Sequence, residues 1–129
     1  MASVSICIDV AELKTATAFY REALGCVLEE TEETHSKLSL DGITIHLVLK
    51  EAGSPATRVG SSLPTFERHW TPVHLDFDVK DVDETAELVL RLGGSVEEVK
   101  RAEWGAAAFC ADPFGNGFCL IANLAEHSG

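Results

Sequence analysis

Residues 4 to 10 alternate strictly: Val4, Ile6, Ile8 and Val10 are apolar, and Ser5, Cys7 and Asp9 lie between them. A period of two predicts a strand with one buried face. From Glu12 to Leu24 the period becomes helical, with Leu13, Ala16, Phe19, Tyr20, Ala23 and Leu24 on one side. Gly25 follows, where a helix ends readily. The pattern returns 69 positions later. Val73, Leu75, Phe77 and Val79 alternate with His74, Asp76 and Asp78, a helical stretch runs from Val82 to Leu92, and Gly93-Gly94 ends it. Strand, helix and terminating glycine recur in one register, which predicts an internal repeat.

The second halves correspond as well. Asp41-Gly42 is a hairpin signal between Lys37–Leu40 and Ile43–Leu49. Phe114-Gly115-Asn116-Gly117 is the matching turn between Ala106–Cys110 and Phe118–Ala122. Gly42 aligns with Gly115 and His46 with Cys119, so the offset has grown to 73 and the second unit is about four residues longer. Leu28–Thr34 and Val96–Lys100 complete each unit as weaker strands. The expectation is an α+β fold of two tandem βαβββ modules whose curved mixed sheet surrounds a cleft. One domain spans 1–129, with modules at 3–50 and 71–124 and a linker at 51–70 rich in Gly, Ser, Pro and Thr. A linker of that length either lies over the cleft or serves as a tether.

Parity assigns the faces. The apolar set of each first strand packs under its own helix, and the other set faces away. That second face carries Ser5, Cys7 and Asp9 in module one and His74, Asp76 and Asp78 in module two. Thr44, His46 and Val48 join it from the last strand of module one, and Cys119 and Ile121 join it by the repeat. Ser5, His46, His74 and Cys119 are therefore expected on one concave surface. Ala106, Ala107 and Ala108 are too small to fill it, and Trp70 and Trp104 stand at strand approaches. The tryptophans serve either as ordinary rim residues or as stacking platforms. His35, His69 and His127 have no such placement and are expected in solvent.

The formal charge of −11 disfavours nucleic acid and anionic membranes, which require a basic face. No apolar run approaches the ~20 residues of a membrane span. The N-terminus MASVSICIDV lacks a basic start and a longer apolar stretch, so no signal peptide is expected. Cys7, Cys26, Cys110 and Cys119 form no CxxC pair. Free thiols in a cytoplasmic protein are the expectation.

At these residues the sequence resembles the vicinal-oxygen-chelate superfamily: glyoxalase I, bleomycin resistance proteins, fosfomycin resistance enzymes and extradiol dioxygenases. The resemblance rests on Ala16-x-x-Phe19-Tyr20-x-x-x-Leu24-Gly25, then His74-x-x-Phe77-x-Val79-x-Asp81, then Asp112-Pro113-x-Gly115-Asn116. The Asn116-Gly117-Phe118-Cys119 ending is similar to a glyoxalase-like subgroup. The resemblance implies a cleft often completed across a homodimer. It also implies a divalent metal (Zn, Fe, Ni or Mn) held from the first and last strands of the modules, which here means Ser5, His74, His46 and Cys119. His74 matches that pattern. His46 and Cys119 stand where many members carry Glu, and Ser5 replaces a His or Gln.

Two functions stay open on this reading. In one, the cleft around Ser5, Cys7, His46, His74, Asp76, Trp104 and Cys119 binds a flat or cationic small molecule without metal, as bleomycin resistance proteins do. In the other, His46 and His74 hold a metal that acts as a Lewis acid on a substrate with vicinal oxygens, in lyase, isomerase or dioxygenase-type chemistry. A partner domain with a vestigial cleft is a third.

Overall fold

A computed structural model describes residues 2–50 and 72–123. The expected linker at 51–70, with His69 and Trp70, and the C-terminal His127 lie outside the described residues. Module one runs β1 (Ser5–Val10), α1 (Leu13–Glu22), β2 (Val27–Thr31), β3 (His35–Leu40) and β4 (Ile43–Leu49). Module two repeats it as β5 (Leu75–Asp78), α2 (Val82–Arg91), β6 (Ser95–Ala102), β7 (Gly105–Ala111) and β8 (Gly117–Asn123). Each module forms one four-stranded mixed sheet, ordered β1-β4-β3-β2 and β5-β8-β7-β6. The α+β architecture of two βαβββ modules is therefore observed as expected. No helix among the described residues is long and apolar enough to cross a membrane.

The first strand of each module runs parallel to the last, and the remaining pairs are antiparallel. A register shift interrupts β2–β3 between Leu28 and Glu30, and β6–β7 between Val96 and Glu98. The repeat thus extends to an irregularity that bends the outer strand of both sheets. The extra length of module two lies in its outer strands and in the β7–β8 turn, which runs from 112 to 116 where β3–β4 has only Asp41-Gly42. Here β6 and β7 have 8 and 7 residues, against 5 and 6 for β2 and β3. The Asp41-Gly42 turn has φ of 51° and 80°, the left-handed pair that a two-residue hairpin requires. The helix stop departs in detail from the alignment. Gly93 (φ 96°), rather than Gly94, takes the left-handed conformation that Gly25 (φ 78°) adopts after α1. Gly94 is needed for another reason: a Cβ there would lie 2.6 Å from the Ala111 carbonyl oxygen and 2.9 Å from Phe19.

Both helices bury their apolar side against their own sheet, and the helix-facing residues of the two modules merge into one core. Phe19 of α1 packs edge-on against Phe118 of β8, with ring centroids 6.1 Å apart. Tyr20 reaches further and donates its hydroxyl to Asp112 Oδ2 at 2.7 Å. Asp112 sits in the β7–β8 turn, 3% exposed. Its Oδ1 accepts the backbone N–H groups of Phe114 (2.8 Å) and Asn116 (3.0 Å), and its Oδ2 also accepts Asn116 Nδ2 (2.9 Å). Asn116 Nδ2 in turn donates to the Asp9 carbonyl at 3.1 Å. The Asp-Pro-x-Gly-Asn segment is thus a structural lock between the modules, and its carboxylate holds the turn rather than a ligand.

The four cysteines are free. Burial pushes the Cys26 thiol up to about 11 from its ordinary 9.0, and burial followed by the adjacent Asp112 charge raises the Tyr20 phenol as well. Both groups fold as their neutral forms, so their contribution is complete below pH 9 and is lost as the pH rises through the folded-state values. Cys26 alone would remove about 1–2 kcal/mol between pH 9 and 11, because a tenfold change in acidity is worth ~1.4 kcal/mol and nearby solvent screens part of it. Urea unfolding at pH 7, 9 and 11 checks this, and a midpoint that does not move across that window refutes it.

Candidate functional site

Directly opposed residues in a sheet share a face. In sheet one, Cys7 of β1 opposes His46 of β4, which opposes Lys37 of β3. In sheet two, Asp76 of β5 opposes Cys119 of β8, which opposes Phe109 of β7. These rows are equivalent under the repeat, and neither contributes to the shared core. They form the polar face of each sheet, as parity predicted. One expectation fails here. Ala106 and Ala108 are turned towards the helix side with the core, so of the three alanines only Ala107, opposite Ile121, belongs to the polar face.

On sheet two the row becomes a cluster. His74, immediately before β5, bonds through Nδ1 to Asp76 Oδ1 at 2.9 Å. Cys119 Sγ lies 3.9 Å from the same nitrogen. One ligand atom from each of His74, Asp76 and Cys119 falls within 4.8 Å of the others, the one such metal-competent group among the described residues. His74 and Asp76 are exposed and Cys119 is buried. The cluster therefore presents two polar groups to solvent over a sulfur floor. Phe109 flanks it, with Lys100 Nζ 5.3 Å from the ring centroid.

On sheet one His46 has a different partner. His35 Nε2 and His46 Nδ1 are 2.7 Å apart, and the rings stack with centroids separated by 4.9 Å. One ring donates and the other accepts, so His46 has only Nε2 left for a ligand. The expectation that His35 lies in solvent is corrected, because it is half-buried against His46. Periodicity misses this pair because His35 and His46 become neighbours only through the β3–β4 register, which sets His35 opposite Val48. It misses Phe109 for the same reason. Ser5 opposes Thr44, one step along the face from His46, and both Ser5 and Cys7 are exposed. Trp104 stands in the β6–β7 turn with 47% of its surface exposed. The structure brings His74, Asp76 and Cys119 together. It leaves His46 outside that group, bonded to His35.

Residues 5–121 match the family described as a glyoxalase-like domain. The chain belongs to that family, and with it to the vicinal-oxygen-chelate superfamily. No curated protein matches the sequence. Among solved structures it is similar to the genomically encoded fosfomycin resistance protein FosX from Listeria monocytogenes, at 20% identity and TM-score 0.72 over 98% of this chain and 97% of that one. It is also similar to lactoylglutathione lyase from Agrobacterium tumefaciens, at 20% identity and TM-score 0.61 over 95% and 94%. A variant of the Listeria FosX, complexed with Mn(II) and 1S,2S-dihydroxypropylphosphonic acid, matches at 19% identity and TM-score 0.71 over 98% and 95%. At these identities the likeness is one of fold.

Proposed function

We propose that this chain binds a flat or cationic small molecule on its polar sheet face, with His74, Asp76 and Cys119 as the anchor. The observation that carries this reading is the convergence of those three side chains beside the Phe109 ring. An exposed carboxylate next to an aromatic ring suits a planar cation, which gains both charge pairing and stacking. Ser5, Cys7, His46 and Trp104 form the remaining ligand-binding surface, with His46 offering Nε2 because His35 holds Nδ1. In this reading the protein is cytoplasmic and acts as a homodimer. Val4 and Val73, at equivalent positions before β1 and β5, are 74% and 81% exposed and supply apolar surface for the pairing.

A second reading has its own support. Imidazole, carboxylate and thiolate within 4.8 Å fit a divalent metal, zinc better than manganese because of the sulfur. His74, Asp76 and Cys119 would hold it, without His46. A FosX variant complexed with Mn(II) has the same fold. The metal would supply Lewis-acid stabilisation of a substrate bearing neighbouring oxygens, in a lyase, isomerase or dioxygenase-type reaction. This chain's residues would then bind the substrate, Phe109 excluding water on one side and Lys100 offering a charge.

One set of measurements separates the readings. Proflavine, a planar cation, is titrated by fluorescence against the wild type, Asp76→Asn and Phe109→Ala, and metal content is measured on tag-free protein and on His74→Ala. The first reading expects binding that either substitution weakens about tenfold or more, a loss of at least ~1.4 kcal/mol, and no stoichiometric metal. Metal present at one per chain and lost in His74→Ala would replace it with the second. Sedimentation velocity on the same samples checks the dimer, which a monomeric species at micromolar concentration would refute.

A further inference from the structure

A cavity of about 360 Å³ adjoins the cluster at Asp76, lined by helix-facing residues of sheet one and by β5. Ile6 and Ile45 form its floor, and Leu40, Asp41 and Ile43 of the β3–β4 hairpin form one wall. The other wall is β5 with Val79 just after it, and it carries Asp76 and Asp78. The volume is sufficient for a small ligand, since ligand pockets start at about 300 Å³. The lining has one sign of charge. Among the described residues it contains Asp41, Asp76 and Asp78 and no lysine, arginine or histidine.

The carboxylates differ in availability. Asp76 is engaged by His74. The Asp41 and Asp78 carboxylates have no hydrogen bond or ion pair among the described residues, and both residues are exposed. Two unneutralised carboxylates over an apolar floor attract a cation and repel an anion, and the chain's charge of −11 acts in the same direction. The floor offers no hydrogen-bond partner, so a fully polar cation gains nothing from entering. Among the described residues the outer edge of β5 pairs with no strand. Its peptide carbonyls add acceptors for N–H donors. We infer that this cavity is a second binding site, specific for a small organic ammonium ion with an apolar body. It takes its charge selectivity from Asp41 and Asp78 and its affinity for the apolar body from Ile6, Ile43 and Ile45. The site shares Asp76 with the His74 cluster, but Asp41, Asp78 and the isoleucines that define it are not part of that cluster.

The test uses benzylammonium as probe, with benzyl alcohol and benzoate as neutral and anionic counterparts of the same ring. Binding is followed by ¹H–¹⁵N correlation spectra on the full chain. The cation is expected to bind about tenfold more tightly than the alcohol at low salt, with benzoate showing no saturable shifts. The shifts should centre on Ile43, Ile45 and Asp78. Asp41→Asn and Asp78→Asn should each weaken binding about three- to tenfold, as expected for losing one charge near a partly exposed site. Ile43→Trp places a larger side chain in the opening at a position already 40% exposed, so the fold is retained while the site is filled and binding is lost. Equal affinity for the alcohol, unchanged binding in Ile43→Trp, shifts centred on Phe109 and Cys119, or no saturable binding by any probe would each overturn the assignment. Phe109→Ala should leave this binding intact, which keeps its failure distinct from failure at the His74 cluster.

Discussion

Asp112→Ala should lower the unfolding free energy by about 3–5 kcal/mol, the range for removing one partner of a buried charged network. The carboxylate accepts four hydrogen bonds, from Tyr20, Asn116 Nδ2 and the N–H groups of Phe114 and Asn116. Truncation strands all four donors. The buried Tyr20 hydroxyl, on a side chain 2% exposed, has no water to turn to. Tyr20→Phe removes a single bond and should cost less, about 1–2 kcal/mol. The two residues belong to different modules, so the substitution also weakens their docking. A double-mutant cycle between Tyr20→Phe and Asp112→Asn, read by urea unfolding, should give a coupling of about 1 kcal/mol or more. Additive losses would mean that the bond carries no net stabilisation and that the turn alone needs Asp112.

That network is invisible in the sequence, although its residues are not. Phe19-Tyr20 and Asp112-Pro113-x-Gly115-Asn116 are recognisable as motifs, but Tyr20 and Asp112 are 92 positions apart. Periodicity reports which side of an element is buried and says nothing about which distant group meets it. The modules themselves are legible because a repeat is a local pattern stated twice. Parity likewise places Cys7 with His46, and Asp76 with Cys119, on common faces. The limits appear at strand ends and across hairpins. Val73 belongs to the alternating apolar set, yet β5 begins only at Leu75 and Val73 is 81% exposed. His35 reads as a surface histidine because its partner His46 lies on the next strand. Pairing His46 with His74 relies on equivalence under the repeat. Equivalent positions in two modules need not be neighbours, because each side chain answers first to its own sheet. His46 answers to His35, and His74 to Asp76 and Cys119.

Gly105→Ala should be the most damaging single methyl in the described structure, costing about 4 kcal/mol or more, in the range reserved for named core or backbone defects. Gly105 opens β7 opposite Asn123 of β8, at φ 150°, a conformation that residues with a side chain rarely adopt. A Cβ there would lie 1.9 Å from the Ala122 carbonyl oxygen and 3.0 Å from its carbon. Both atoms are backbone in the neighbouring strand, so neither can rotate away. Relief requires β7 and β8 to separate, which would displace Cys119 and Phe109 further along the same pair. Gly25→Ala provides the control. Its φ is 78°, but nothing lies within 4 Å of the added carbon, so only the backbone preference is lost, about 1 kcal/mol. Urea midpoints for the two variants should therefore differ severalfold in their displacement from wild type. If Gly105→Ala unfolds too readily to be measured, hydrogen exchange on the soluble fraction should show β7–β8 amides losing protection before those of β3–β4. Equal displacement of the two glycine variants would refute the close approach of Ala122 as the reason Gly105 is a glycine.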